Sequence, residues 1–192
     1  MRDGKDGKDR RREMLDLTLE HYEDRYAAMH EIPEWRKRIS IAECAVLNNE
    51  CLYRRVAMDA GVPWEFIGLL HLMEAGCNTK RQILNGQHFD AVTTIAPLGQ
   101  GPWDTWEDAA LEPLAKLRGM PGAPGMIAME LERWNGLGYA KREMNSPYLW
   151  SGSNLGVGVG KFGSDGNYDS RAVSEQVGAM VVLRRMRFRN LG

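Results

Sequence analysis

The sequence predicts an α+β domain that is mainly helical and carries one small β element. Apolar residues recur at helical spacing in several segments, which begin and end with capping signals. One short segment, 91–95, has the residue types of a strand. Residues 137–169 are rich in Gly, Ser, Asn and aromatics without a regular period. Long irregular segments inside compact domains are often functional, so this region is a first candidate for a site.

Residues 1–45 are predicted to form a charged N-terminal extension that is partly helical or disordered. Residues 1–12 are mostly Asp, Gly, Lys and Arg and can bury little apolar surface. A thin helical stripe follows over 13–29, and Pro33 ends it. The compact domain is therefore expected to span residues 46–192, enough chain to bury one hydrophobic core.

Two helices are predicted around the boundary between these regions. Ser40 and Glu43 form a capping-box signature, which favours one helix to about residue 60. The next helix should begin at Pro63, because proline fits a first helical position, and end before Gly76, which fits the left-handed position after a helix. Nearly all of its side chains are apolar, so we expect it to be buried on most sides.

Glu74 is the one carboxylate near the end of this apolar helix. Burial disfavours the charged form of a carboxyl group and raises its pKa, which keeps a Glu protonated near neutral pH as a general acid. The alternative is a Glu that simply reaches solvent at a helix C-terminus. The helix alone does not separate these two interpretations.

The rest of the chain supplies the β element and three more helices. An Asn85-Gly86 turn followed by the β-leaning segment predicts a short irregular hairpin over 78–97, beside Glu74. The remaining helices are predicted to start at Thr105 and end early at Pro113, to span 126–134, and to span 170–187.

Composition excludes several classes of function. The net charge is −1, which gives no reason to expect a nucleic-acid partner. Three cysteines without C-x-x-C spacing predict neither a disulfide framework nor a zinc knuckle. We find no apolar run of about 18 residues and no hydrophobic leader, so we expect a protein made in the cytoplasm without a signal peptide. We also expect a monomer.

Three motif-like patterns fail in their details. His71 and Glu74 lack the two-His spacing of zinc peptidases, and we expect His71 to be hydrogen-bonded within the core. The Gly-rich segment 156–162 lacks the leading Gly of a phosphate loop and carries Phe where Ser or Thr binds magnesium. An acidic alternation that begins at Asp165 lacks the Gly and the bidentate Glu of a calcium loop. No metal or cofactor is predicted.

Aromatic, amide and hydroxyl side chains alternate between residues 134 and 154. Sugar rings are bound by this chemistry, since their C–H faces stack on aromatics and their hydroxyl and acetamido groups take directed hydrogen bonds. The alternative is that the aromatics belong to the core. The candidate substrate-binding residues are Asn135, Tyr139, Ser146, Tyr148 and Asn154.

Two long motifs resemble the phage and bacterial lysozyme-like peptidoglycan-cleaving proteins. They are Glu132-Arg-Trp-Asn-Gly-Leu-Gly-Tyr139 and Ser146-Pro-Tyr-Leu-Trp-Ser-Gly-Ser-Asn154. Shorter matches accompany them, at Glu74, Asn85-Gly86, Thr93, Pro97, Trp106-Glu107, Ala109-Ala110, Gly160-Lys161 and Asp165-Gly166. Together they span about residues 62–176.

The resemblance implies a lysozyme-superfamily fold with a helix that ends at an acidic Glu and a small β element on one wall of a cleft. It implies a substrate of alternating N-acetylglucosamine and N-acetylmuramic acid, cut at the β-1,4 bond. Glu74 falls on the family's catalytic Glu, Thr93 on its cleft-wall Thr, and Tyr139 and Tyr148 on sugar-facing aromatics. Gln87 departs from the family, where many members carry Asp.

This departure bears on the reaction. A two-carboxylate glycosidase needs a base or nucleophile roughly 5 to 9.5 Å from the acid. Asp90 is the nearest candidate in the sequence. Without a second carboxylate the substrate's own acetamido group can attack, and the product is then either hydrolysed or closed to an anhydro sugar. We favour a one-carboxylate enzyme and leave the choice between lysozyme and lytic transglycosylase open.

The leading hypothesis is a phage-type bacteriolytic enzyme, either an endolysin that depends on a membrane-permeabilising helper or a component carried in the virion. Its expected partner is the peptidoglycan glycan strand. A second hypothesis is a catalytically silent lysozyme-like module that binds peptidoglycan or organises a virion. A third is a zinc-dependent amidase, which would be sensitive to EDTA.

Overall fold

Eight α-helices and one two-stranded antiparallel sheet form the regular structure of residues 18–163 and 166–189, the part of the chain that this computed structural model describes. The mainly helical α+β class is thereby confirmed. The helices are α1 (Leu19–Ala28), α2 (Arg36–Leu47), α3 (Glu50–Ala60), α4 (Trp64–Ala75), α5 (Trp106–Leu114), α6 (Pro124–Asn135), α7 (Pro147–Trp150) and α8 (Ala179–Arg189). The strands are β1 (Lys161–Phe162) and β2 (Tyr168–Asp169), in which Lys161 faces Asp169 and Phe162 faces Tyr168.

Helix α4 lies at the centre of the core and packs against α2, α3, α6 and α8. Its side chains from Phe66 to Leu70 are fully buried, as the sequence predicts for so apolar a helix. Gly68 allows the close approach of α2 and α3, because a Cβ there would lie 2.7 Å from a methyl carbon of Val46. Gly76 ends the helix in the left-handed conformation with φ +59°, and Pro63 occupies the cap position.

The described part of the predicted N-terminal extension, residues 18–45, packs on the same core. Helix α1 lies along α6, and Tyr22, Met29 and Ile39 are buried with the rest of the core. The carboxylate of Glu23 accepts a hydrogen bond from the backbone N–H of Gly125, in the first turn of α6. The predicted boundary after residue 45 falls inside α2, whereas residues 1–17, which include the predicted tail, lie outside the described residues.

The single helix predicted from Ser40 to about residue 60 is two helices. Helix α2 begins earlier, at Arg36, so that Ser40 lies within it rather than at its cap. The helix ends at Leu47, and α3 begins after Asn49, whose side-chain amide donates to the carbonyl of Ala45 and to that of Cys77. An asparagine that bonds its own neighbouring backbone competes with a continuous helix, which accounts for the break.

The hairpin predicted over 78–97 is wrong. That segment, described throughout, contains only one isolated antiparallel bridge, between Arg81 and His88. Side chains rather than a strand partner take up much of its backbone hydrogen bonding, as shown below. The observed sheet lies instead in the Gly-rich region, where no strand was expected.

Two of the three remaining predicted helices, α5 and α6, lie close to their predicted positions, and the third starts late. The hydroxyl of Thr105 accepts a hydrogen bond from the N–H of Asp108, and the helix that it caps ends one residue after Pro113. Helix α8 begins nine residues later than expected, because Gly178 is held against the irregular chain by a bond from its N–H to the carbonyl of Ser151. No helix in the described ranges is long and apolar enough to cross a membrane.

Candidate active site around Glu74

Glu74 is the second-last residue of α4, half-buried at the end of the most apolar helix of the described chain. Burial raises the pKa of its carboxyl group from 4.5 to about 7. Loss of solvation is the only cause of this rise among the described residues. Glu74 is therefore protonated in a large fraction of molecules at neutral pH.

His71 fixes α4 one turn before Glu74. Its Nε2 lies 3.1 Å from the carbonyl oxygen of Asn78 and 3.0 Å from that of Arg81. Carbonyls only accept, so Nε2 carries the proton, and Nδ1 accepts from the hydroxyl of Tyr53 at 2.8 Å. Burial lowers the pKa of His71 to about 4. The prediction of a core histidine with hydrogen-bond partners is confirmed.

The Asn85-Gly86 turn lies directly against the end of α4. Gly86 has φ +71°, and a Cβ at this position would collide with the carbonyl oxygen of Glu74. Only glycine satisfies both the positive φ and this close approach. The turn thus holds the loop that follows α4 at the base of the Glu74 side chain.

Side-chain amides hold the same loop in shape. Asn85 donates to the carbonyls of Ile95 and Ala96. Gln87 donates to the hydroxyl of Thr94 at 2.8 Å, and its amide oxygen accepts from the N–H groups of Thr94 and Ile95. These bonds replace a strand ladder, which explains why no hairpin forms. Gln87 thus works here as a scaffold residue.

Tyr148, in α7, is a predicted substrate-binding residue whose pKa is affected by Glu74. Burial raises the pKa of its hydroxyl, and the Glu74 carboxylate raises it further. The Nζ of Lys161 lies 5.9 Å from the centre of the Tyr148 ring. The Tyr148 phenol therefore interacts with both the Glu74 carboxyl group and the Lys161 ammonium group.

Tyr139, for which we expected a sugar-facing ring, is only 2% exposed. Its hydroxyl accepts from the N–H of Phe162 at 3.1 Å, and its ring packs edge-on against Phe162 and Tyr148. Tyr139 therefore supports the rings of Phe162 and Tyr148 by packing against them. A buried ring offers no free face to a ligand.

Three other predicted substrate-binding residues are buried or hydrogen-bonded within the protein. Thr93 is 3% exposed, and its hydroxyl donates to the carbonyl of Pro97 at 2.6 Å. Ser146 is fully buried at the start of α7. Asn154 accepts from the N–H of His30 and donates to the carbonyl of Ala28, so it binds the segment after α1 rather than a ligand. Asn135 remains half-buried, as the last residue of α6.

Asp90 is not brought to Glu74 by any contact of the described residues. Its side chain is 71% exposed and lies 3.9 Å from Nδ1 of His88. A carboxylate close to Glu74 would add a repulsive contribution to its raised pKa, and Asp90 makes none. The second-carboxylate role proposed for Asp90 therefore finds no support in the geometry.

A groove of about 480 Å³ runs between the 84–97 loop, the turn after α5 and the outer face of α6. Its lining residues are Leu84, Ala96, Pro97, Lys116, Leu117, Glu130, Arg133 and Trp134. The sequence singled out Trp134 among these as an aromatic of interest. Lys116 was missed, because nothing in its local sequence distinguishes it from other surface lysines.

The described part of the chain contains no candidate metal site. The described residues include no group of three or more His, Cys, Asp or Glu side chains placed to hold an ion. Of the calcium-loop pattern, Asp165 lies outside the described residues, and Asp169 accepts from the N–H of Arg171 in the turn after β2.

Comparison of the chain with models of protein families, with curated proteins and with solved structures gave no match.

Proposed function

We propose that this protein is a lysozyme-like peptidoglycan-cleaving glycosidase in which Glu74 is the general acid. The observation that carries the proposal is a half-buried carboxyl group whose pKa is raised to about 7, at the end of a rigid apolar helix. A glycosidase needs such a group to protonate the leaving oxygen of the β-1,4 bond at neutral pH. The sequence motifs that flank it supply the substrate class.

The surroundings of Glu74 suit this role. His71 and Gly86 hold the backbone on both sides of the acid, so its position does not depend on a mobile loop. Tyr148 offers a half-buried phenol beside it for hydrogen bonding to a hydroxyl or acetamido group. The carboxyl group donates its proton to the glycosidic oxygen and becomes a base for the second step.

The nucleophile of the first step is proposed to come from the substrate itself. Since no other described carboxylate contributes to the Glu74 environment, the acetamido oxygen of the N-acetylmuramic acid is the available nucleophile. It attacks the anomeric carbon as the bond to the leaving oxygen breaks. Glu74 then deprotonates either water, which gives a reducing end, or the sugar's own 6-hydroxyl, which gives an anhydro end.

The biological setting that we propose is bacteriolysis of the phage type, for release from the host or for invasion. The protein would reach the peptidoglycan through a helper that permeabilises the membrane, or travel in the virion. Peptidoglycan glycan strands are the proposed partner in both cases.

The test compares wild type with Glu74→Gln on purified sacculi. Loss of a general acid should lower the rate of turbidity clearing by about 10²- to 10⁴-fold. Glu132→Gln is the matched control, because burial raises the pKa of Glu132 to about 7 as well, but on the α6 side that faces α1. This control should clear normally.

Mass spectrometry of the released fragments identifies the bond. Reducing ends indicate a hydrolase and anhydro ends a transglycosylase. An intact glycan with free peptides would instead mean an amidase and would refute the proposal. Tight binding to sacculi without clearing, unchanged in Glu74→Gln, would assign the protein to a binding or virion structural role.

A further inference from the structure

The groove between the 84–97 loop and α6 carries one cation that no other described residue neutralises. Arg133 and Glu130, both on the groove wall, form an ion pair with each other. Lys116, which is exposed, has no carboxylate within ion-pair distance among the described residues. The charges of the groove therefore sum to about one positive charge, centred on Lys116.

Lys116 and Trp134 are arranged as a pair. The Nζ of Lys116 lies 5.0 Å from the centre of the indole ring, and both side chains line the groove. An exposed ammonium on a flexible four-carbon stem can swing off the ring at small cost. The indole face then becomes free for an apolar surface while the ammonium stays within reach of the same ligand.

The groove shares one loop with the Glu74 site. Leu84 and Ala96 line it, and they lie on either side of the Asn85 amide, which donates to the carbonyl of Ala96. The next residue along the chain, Gly86, touches the carbonyl oxygen of Glu74. The loop that forms one wall of the groove is therefore anchored at the end of α4, the helix that carries Glu74.

We propose that the groove is a subsite for a carboxylate-bearing sugar, with Trp134 under the pyranose ring and Lys116 on the carboxylate. This inference rests on the proposed function and adds a selectivity to it. A neutral chain of N-acetylglucosamine has no carboxylate, whereas a peptidoglycan strand carries one on its lactyl group or, when that group is amidated, on the attached peptide. Lys116 thus makes the protein selective for the acidic polymer.

The experiment measures binding by titration calorimetry in the Glu74→Gln background, where no ligand is cleaved. The probes are the neutral tetramer of N-acetylglucosamine and the alternating tetrasaccharide with free lactyl carboxylates. A third probe, the same tetrasaccharide with its peptides, separates the two sources of the carboxylate. The substitutions are Lys116→Met, Trp134→Ala and, as the charge-matched control, Lys37→Met on α2, which lines no part of this groove.

The acidic tetrasaccharide should bind about two- to five-fold more tightly than the neutral tetramer at low salt, as expected for one exposed charge pair. Lys116→Met should abolish this preference without changing the affinity for the neutral tetramer. Trp134→Ala should weaken both by about tenfold, since stacking is lost for any sugar, and a thermal melt checks that it folds. Lys37→Met should change nothing.

Equal affinity for the acidic and neutral tetramers, or a preference that survives Lys116→Met, would overturn the inference. Failure to bind any of the probes would do the same. Wild-type cleavage of sacculi is measured in parallel. Cleavage without any effect of Lys116 leaves the glycosidase assignment in place and removes the subsite, whereas Lys116-dependent binding without cleavage keeps the subsite and removes the enzyme.

Discussion

Replacing Glu74 with Gln should stabilise the folded protein at pH 8 by about 3 kcal/mol and leave its stability at pH 4 nearly unchanged. Burial raises the pKa of Glu74 from 4.5 to about 7. Between these pH values the folded protein retains a proton that the unfolded chain has released. The free energy of unfolding of the wild type therefore falls by about 1.36 kcal/mol for each pH unit across this interval.

The sign of the effect follows from a raised carboxyl pKa. Below pH 4.5 the group is protonated in both states and costs nothing, and above pH 7 it is ionised in both, so the full cost of a buried charge is present. Gln is neutral at every pH and avoids this cost. The stabilisation should therefore grow between pH 4.5 and 7 and then stay constant.

Urea unfolding followed by tryptophan fluorescence at pH 4, 5, 6, 7 and 8 measures this difference. Glu34→Gln, which removes an exposed carboxylate before α2, gives the baseline for the loss of a surface charge. A difference between wild type and Glu74→Gln that is flat from pH 4 to 8, or that favours the wild type at high pH, would refute the burial argument and with it the case for Glu74 as the acid.

Three further predictions concern the same site. The kcat/KM for sacculi should fall about tenfold for each pH unit above 7, since the acid must be protonated, and a pH–rate profile without this limb would exclude Glu74 from the first step. Gly86→Ala should destabilise the protein by about 2 kcal/mol or more in urea unfolding and reduce clearing, because φ is positive and the Cβ meets Glu74. Its control, Gly76→Ala, has a positive φ but open space around the Cβ, so it should cost about 1 kcal/mol and spare activity. Tyr53→Phe should cost about 1–3 kcal/mol, because it leaves the buried Nδ1 of His71 without a donor, and an unchanged thermal midpoint would contradict that bond.

The sequence was informative where local signals decide the structure. Helix α4 follows from its apolar residues and from the Gly76 stop, and the Thr105 cap and Pro113 set the bounds of α5. The half-buried position of Glu74 is one of the two outcomes that this helix allowed, and the sequence of the helix did not choose between them. These features depend on residues within a few positions of one another.

The features that sequence reasoning missed depend on distant partners. Asn154 binds backbone groups of Ala28 and His30, more than 100 positions away, so a residue with sugar-binding chemistry is used to close the fold. The hairpin was mispredicted because the Asn85 and Gln87 side chains satisfy backbone groups that a strand would pair. Lys116 acquires its importance only from the loop and helix that fold around it.

Helix α1 and its contact with α6 have a mechanical consequence. Glu23 accepts a hydrogen bond from the first turn of α6, and Trp134 lies near the other end of that helix. A load applied to the chain ahead of residue 18 would therefore pass through α1 to the wall that holds the indole, whereas a load applied after residue 189 would pull first on α8. If this protein is attached to a particle or a surface, a pull through the N-terminus should therefore load α1 first, and a pull through the C-terminus should load α8 first.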